Sequence, residues 1–180
     1  MSSKVQILGF TGSLREESYN RAALEAAQEL LPANTSLEIV SLANLPAYNQ
    51  QEAYNQPEVV CSFIEKLQQA DALLIVTPEY KGLLSRVLKN ALNWVTTLDG
   101  KPVALMGIGR ASGGVQEHAT LRQELARLQA RVIDAPELYI TSGWEKLDDE
   151  GKLTDRVTRQ QIAQLLVALQ ENVLEPALAR

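Results

Sequence analysis

The residues Ala72–Thr77, A-L-L-I-V-T, form an unbroken apolar run between a polar helix end and a proline. Such a run marks a strand covered on both faces, which in practice means a parallel sheet sandwiched between helices. The flanking sequence keeps the same rhythm. Val5–Leu8 is strand-like, and Asn20–Leu31 follows with Ala23, Leu24, Ala27, Leu30 and Leu31 on one helical face. Leu37–Leu42 reads as a second strand, and Ala43–Gln56 as an irregular polar connection. A helix begins at Pro57, a proline suited to a first turn, with Val59, Val60, Phe63, Ile64 and Leu67 inward. After Ala72–Thr77 come a helix over Ser85–Leu98, a strand over Pro102–Ile108 and a helix over Val115–Gln129. A fifth strand lies within Arg131–Ile140, interrupted by Pro136, and the last helix starts at Asp155 and runs to Gln170 or beyond. Five strands alternating with five helices predict an α/β fold with one parallel sheet and helices on both faces. No repeat or linker divides the chain, so residues 1–180 are expected to form one domain.

Composition narrows the partners. The net charge of −5 argues against nucleic acid, which requires a basic face. A single cysteine, Cys61, excludes an internal disulfide, and a single histidine, His118, leaves little for a metal site. Cys61 is expected to pack within its helix, and His118 to sit on a helix surface. No apolar run approaches the roughly 20 residues of a membrane span. The first strand begins directly after Met1-Ser2-Ser3-Lys4 with no signal-like segment, so the expected location is the cytoplasm.

The chemistry concentrates where strands end. The stretch from Val5 to Leu24 is a strand, a loop broken at Gly9 and Gly12, and a helix start. A helix start presents unpaired N–H groups and a partial positive charge, which suit an anion. Thr11, Ser13, Ser18, Asn20 and Arg15 can all donate to phosphate oxygens. The loop reads as a phosphate cradle, or else as a capped strand–helix turn with a solvated arginine. The dinucleotide fingerprint G-x-G-x-x-G is absent, and the second strand ends in Ser41-Leu42-Ala43-Asn44 without the acid that fingerprint needs. The triphosphate loop G-x-x-x-x-G-K-[ST] is absent too. A hydroxyl-rich loop of this length suits one terminal phosphate held on several sides, as in a mononucleotide. Two further loops, Pro78–Leu84 and Gly109–Gly114, leave the same edge and carry turn and glycine residues that let backbone approach a flat ligand.

Gly12-Ser13-Leu14-Arg15-x-x-Ser18-x-Asn20-Arg21 resembles the first motif of the NADPH-dependent FMN reductase family, which includes bacterial chromate and quinone reductases and some azoreductases. Thr77-Pro78-Glu79-Tyr80 followed by Val87-Leu88-Lys89-Asn90-Ala91 and Trp94 resembles its second motif, and Gly100–Ala104 leading into Gly109–Gly114 its third. The resemblance implies a flavodoxin-like three-layer sandwich with strand order 2-1-3-4-5, non-covalent FMN, NADPH or NADH as donor, and a homodimer or homotetramer. By position it assigns Ser13, Leu14, Arg15, Ser18, Tyr19 and Asn20 to the FMN phosphate side. Pro78, Glu79, Tyr80, Lys81 and Gly82 then line the ring, and Gly109, Arg110, Ala111 and Gly113 close its other side. No catalytic acid or base is assigned, and no metal ligand. The implied reaction passes hydride and electrons from NAD(P)H through FMN to a second small molecule: a quinone, free flavin, an azo compound or a metal oxyanion such as chromate. The competing readings are a flavodoxin-type electron carrier or flavin-binding regulator, and a protein that keeps the fold without the cofactor.

The chain departs from the family pattern at one place. After Pro-Glu-Tyr the family carries Asn-Gly-Ser or Asn-Tyr-Ser, an apolar residue, Pro and Gly, whereas this chain reads Lys81-Gly82-Leu83-Leu84-Ser85-Arg86. An apolar excess around the third helix, at Leu83, Leu84, Val87, Leu92, Trp94 and Val95, predicts a subunit contact.

Overall fold

The structure, a computed structural model, describes residues 4–174. Six parallel strands form its sheet: β1 (Val5–Thr11), β2 (Thr35–Ile39), β3 (Ala72–Pro78), β4 (Pro102–Ile108), β5 (Arg131–Val132) and β6 (Leu138–Ile140). Their order is β2-β1-β3-β4-β5, and β6 also pairs with β4. Five α-helices connect them: α1 (Tyr19–Glu29), α2 (Glu58–Gln69), α3 (Arg86–Asn93), α4 (Val115–Arg127) and α5 (Arg156–Leu174). The expected order holds, with the fifth strand split in two about Pro136. Both pieces stay in register with β4, Pro102 beside Arg131 and Met106 beside Leu138.

The sheet alternates its side chains between two cores, as a strand must. Leu74, Val76, Ala104 and Met106 point to one face, packed against Leu24 of α1 and Ile162, Leu165 and Leu169 of α5. Leu73, Ile75, Val103 and Leu105 point to the other, against Phe63 of α2, Leu88 of α3 and Leu121 of α4. All seven residues of β3 and all seven of β4 are buried, which accounts for the continuous apolar run.

Several element ends differ from the sequence reading. The second strand ends at Ile39 rather than Leu42, because β1 offers it partners only from Val5 to Gly9. Leu42 is nonetheless buried, in the second core. The third helix ends at Asn93 rather than Leu98. Trp94 caps it and turns its indole N–H onto the Pro46 carbonyl at 3.1 Å, with Tyr48 edge-on at 5.0 Å. That arrangement also corrects the origin of the apolar excess. Leu92, Trp94 and Val95 are buried by their own chain, so only Leu83, which is 71% exposed, and the half-buried Leu84 and Val87 remain near the surface. Cys61 is half-buried, with its thiol directed at the Gln56 carbonyl. Among the described residues, no helix is long and apolar enough to cross a membrane.

Candidate active site

Three loops leave the carboxyl-terminal ends of β1, β3 and β4, and they enclose a cleft of about 320 Å³. From the first loop come Ser13, Arg15, Ser18, Tyr19 and Asn20, with Glu17 beside them. From the second come Pro78, Glu79, Tyr80 and Lys81, and from the third Gly109 and Arg110. The other four residues named from sequence stand around this cleft. Leu14 lines a neighbouring apolar cleft of about 880 Å³ that shares Arg15 and Tyr80. Gly82 turns toward α4, the Ala111 N–H is spent on Glu79, and Gly113 is pressed against the backbone of Tyr139 and Ile140. A third cleft, about 650 Å³, lies at the opposite, amino-terminal edge around Asp71, Lys101 and Arg131, away from all three loops.

The first loop holds its donors in reserve. Ser18 caps α1, its hydroxyl oxygen accepting from the Asn20 N–H at 3.2 Å and the Asn20 amide at 3.4 Å. That oxygen accepts twice, so its own proton is free for a ligand. The buried Oδ1 of Asn20 has no partner. Ser13 is buried, and Arg15 is exposed with no ion pair among the described residues. The N–H groups of residues 14–17 likewise meet no protein acceptor among the described residues. Unspent hydroxyl, guanidinium and backbone donors beside a helix start are what a dianionic phosphate requires.

The second and third loops are instead tied together by their own side chains. Glu79 reaches across to the third loop and accepts from the Ala111 N–H, the Ser112 N–H and the Ser112 hydroxyl, each at 3.0 Å. Burial pushes this carboxyl up, but the hydrogen bonds from Ala111, Ser112 and Arg110 outweigh it and hold it below its ordinary value. A side chain at Gly109 would sit 2.0 Å from that carboxylate, so only glycine lets the two loops meet. The second loop is also fixed from α4, where Glu117 accepts from the Tyr80 and Gly82 N–H groups at 2.7 and 2.8 Å. Ser85 fastens the first loop. It caps α3 and donates to the Gly12 carbonyl at 2.7 Å, which explains a serine where the family pattern has proline.

Glu117 and Ser112 were not singled out from the sequence, and Ser85 was noted only as a departure from the family pattern, with no role given. Ser112 stood inside a quoted motif, and Glu117 carried only the signal of an acid in a first helical turn. The expectation for His118 was wrong. It is 1% exposed, packs on Tyr139 at 4.6 Å and leaves its Nε2 unpartnered behind Gly107. Burial pulls the imidazole below its ordinary value against the Met106 carbonyl, with the Arg122 charge adding to the effect. At neutral pH it is an uncharged packing residue. Arg110 lies over the exposed ring of Trp144 at 5.6 Å, at the outer rim.

The family model for NADPH-dependent FMN reductase matches residues 5–145, a span that contains all three loops. An NAD(P)H-dependent FMN reductase of Pseudomonas aeruginosa is 38% identical over 177 residues, covering 94% of this chain and 96% of that protein. A quinone reductase of Pseudomonas putida is 37% identical over 164 residues, covering 87% of this chain and 88% of that one. Among solved structures, the flavoenzyme NAD(P)H:(acceptor) oxidoreductase FerB of Paracoccus denitrificans superposes with a TM-score of 0.83 at 26% identity, covering 95% of this chain and 98% of that one. With its sheet order and its relatives in agreement, this chain belongs to the NADPH-dependent FMN reductase family.

Proposed function

We propose that this protein is an FMN-dependent NAD(P)H oxidoreductase whose preferred acceptors are quinones. The observation that carries the reading is the set of unspent donors at the start of α1, facing a cleft whose other two walls are rigid. Ser13, Ser18, Arg15 and the N–H groups of residues 14–17 hold the phosphate. Pro78, Glu79, Tyr80 and Lys81 wall one side of the ring, and Gly109 and Arg110 the other. FMN held there would supply the redox chemistry between NAD(P)H and the acceptor. The protein positions and shields. Glu79 spends its carboxylate on the third loop, and His118 is buried behind the sheet end, so neither is assigned as acid or base.

Relatives at 37% and 35% identity named quinone reductases support quinones as acceptors, beside a relative at 38% named an FMN reductase. The adjoining cleft is also lined by Leu14, Leu83 and Leu84, which suits a flat apolar acceptor. With one mouth serving both substrates, donor and acceptor bind in turn. Double-reciprocal plots with a benzoquinone are expected to be parallel, and intersecting lines would reject the shared mouth. The exposed Leu14 and Leu83, with the half-buried Leu84 and Val87, support a homo-oligomer that closes this cleft from outside. Leu83→Lys is expected to shift the protein from dimer or tetramer toward monomer in light scattering at micromolar concentration. A wild-type monomer under those conditions would remove the contact.

A further inference from the structure

Between Tyr80 and Leu83 the chain makes a two-residue turn, closed by the Leu83 N–H on the Tyr80 carbonyl at 3.0 Å. Both central residues, Lys81 at φ +54 and Gly82 at φ +77, lie in the left-handed region. The first turn of α4 presses on this turn from behind. A side chain at Gly82 would sit 2.1 Å from Gln116 Oε1, and one oxygen of Glu117 accepts both the Tyr80 and the Gly82 N–H. Glu117 is 1% exposed and has no salt-bridge partner among the described residues. Burying a lone carboxylate is costly unless strong hydrogen bonds answer it. Here the start of α4 and two charge-assisted N–H bonds do so. One oxygen accepting two N–H groups of a single turn fixes the orientation of the peptide between them.

The Tyr80 and Gly82 N–H groups are thus taken by Glu117. The Lys81 N–H between them has no acceptor among the described residues, and Lys81 lines the cleft. We infer that Glu117 is a positioning residue, which by gripping the Tyr80 and Gly82 N–H groups from behind fixes the turn so that the Lys81 N–H is presented to the flavin ring. The inference rests on FMN occupying the cleft as proposed above. An N–H held in place bonds more strongly to a ring as that ring gains electron density, so it favours the reduced form.

The test compares Glu117→Ala and Glu117→Gln with the wild type. Glutamine keeps an oxygen able to accept both N–H groups without the charge. In flavin-free E117A, the Tyr80 and Gly82 amide proton resonances are expected to move upfield from hydrogen-bonded positions. FMN and riboflavin affinities should fall by the same factor, roughly tenfold, because the ring contact is affected and the phosphate contact is not. The midpoint potential of bound flavin should fall, and E117Q should stay close to wild type in all three measurements. E117A that keeps the wild-type potential would overturn the inference, as would a loss confined to FMN. E117Q shifted as far as E117A would overturn it too, since charge and not the turn would then be acting. If E117A lacks native circular dichroism, E117D is read in its place, its shorter side chain unable to reach both N–H groups. Wild-type protein that takes up neither flavin would overturn the cofactor assignment itself. Wild type that binds flavin beside an unaltered E117A would overturn only the role of Glu117.

Discussion

The first loop and the two loops facing it build the same cleft by opposite means. In the first, from Ser13 to Asn20, hydroxyls, a guanidinium and consecutive N–H groups are left without protein partners. In the other two, the corresponding N–H groups of Tyr80, Gly82, Ala111 and Ser112 are already answered by Glu117 and Glu79. One wall recognises its ligand by offering hydrogen bonds. On the proposed reading the others do so mainly by shape, with most of their polar groups satisfied internally and the Lys81 N–H left for the ring. Phosphate binding should therefore respond to single donor deletions, and ring binding to whatever loosens the frame.

The largest expected effect sits on the donor side. Arg15→Ala should weaken FMN by tenfold or more, since a charge-assisted hydrogen bond contributes about 1.5–3 kcal/mol. Riboflavin, which lacks the phosphate, should lose almost nothing. Titration of both ligands against both proteins by fluorescence quenching checks this, and equal losses would erase the distinction between the two walls.

The same contrast explains what could be read from the sequence. The donors of the first loop lie within eight residues and announce themselves by type and spacing, so Ser13, Arg15, Ser18 and Asn20 were legible together. The parallel sheet and the helix count were legible because β3 and β4 are apolar on both faces and helices alternate with strands, whereas the strand order came only from the family resemblance. The frame was not legible. Glu79 finds Ala111 and Ser112 more than thirty positions away, and Glu117 finds Tyr80 across a similar gap. A lone acid in a helix's first turn carries no mark of its partner. His118 misled for the related reason that a polar side chain in an α4 pattern reads as surface until the strand end that buries it is in place.

A smaller effect is expected where the frame depends on ionisation. Hydrogen bonds from Ala111, Ser112 and Arg110 hold the Glu79 carboxyl below its ordinary value despite the opposing effect of burial. A carboxyl depressed by folding contributes stability that is complete above its unfolded-state value and disappears as pH falls through the folded-state value. Wild type should therefore melt above Glu79→Gln at neutral pH, with the gap closing as pH drops below the ordinary glutamate range. Thermal melts from pH 7 to pH 3 give the comparison. A gap independent of pH would mean that the Glu79 bonds to the third loop do not rely on its charge.

The smallest effect tests Lys81, one of the residues at which the second loop departs from its family. Lys81 holds φ +54, a conformation asparagine adopts more readily than lysine because its short polar side chain can bond to nearby backbone. Lys81→Asn should therefore stabilise the protein by about 0.5 kcal/mol, a rise of about 1–2 °C in melting temperature for a chain of this length. The exposed ammonium group makes no ion pair among the described residues, and it stands at the mouth of the cleft beside Arg15 and Arg110. A cation placed there raises the local concentration of a polyanionic donor. NADPH efficiency of Lys81→Asn should consequently fall at low ionic strength and return to the wild-type value near 0.5 M salt, where the screening length is only a few ångströms. The flavin potential should not move, because the substitution leaves the Lys81 backbone N–H and the Glu117 contacts in place. If the potential did fall with NADH and NADPH affected alike, the ammonium group would be acting on the ring itself, and the shaped wall would be recognising charge as well as form.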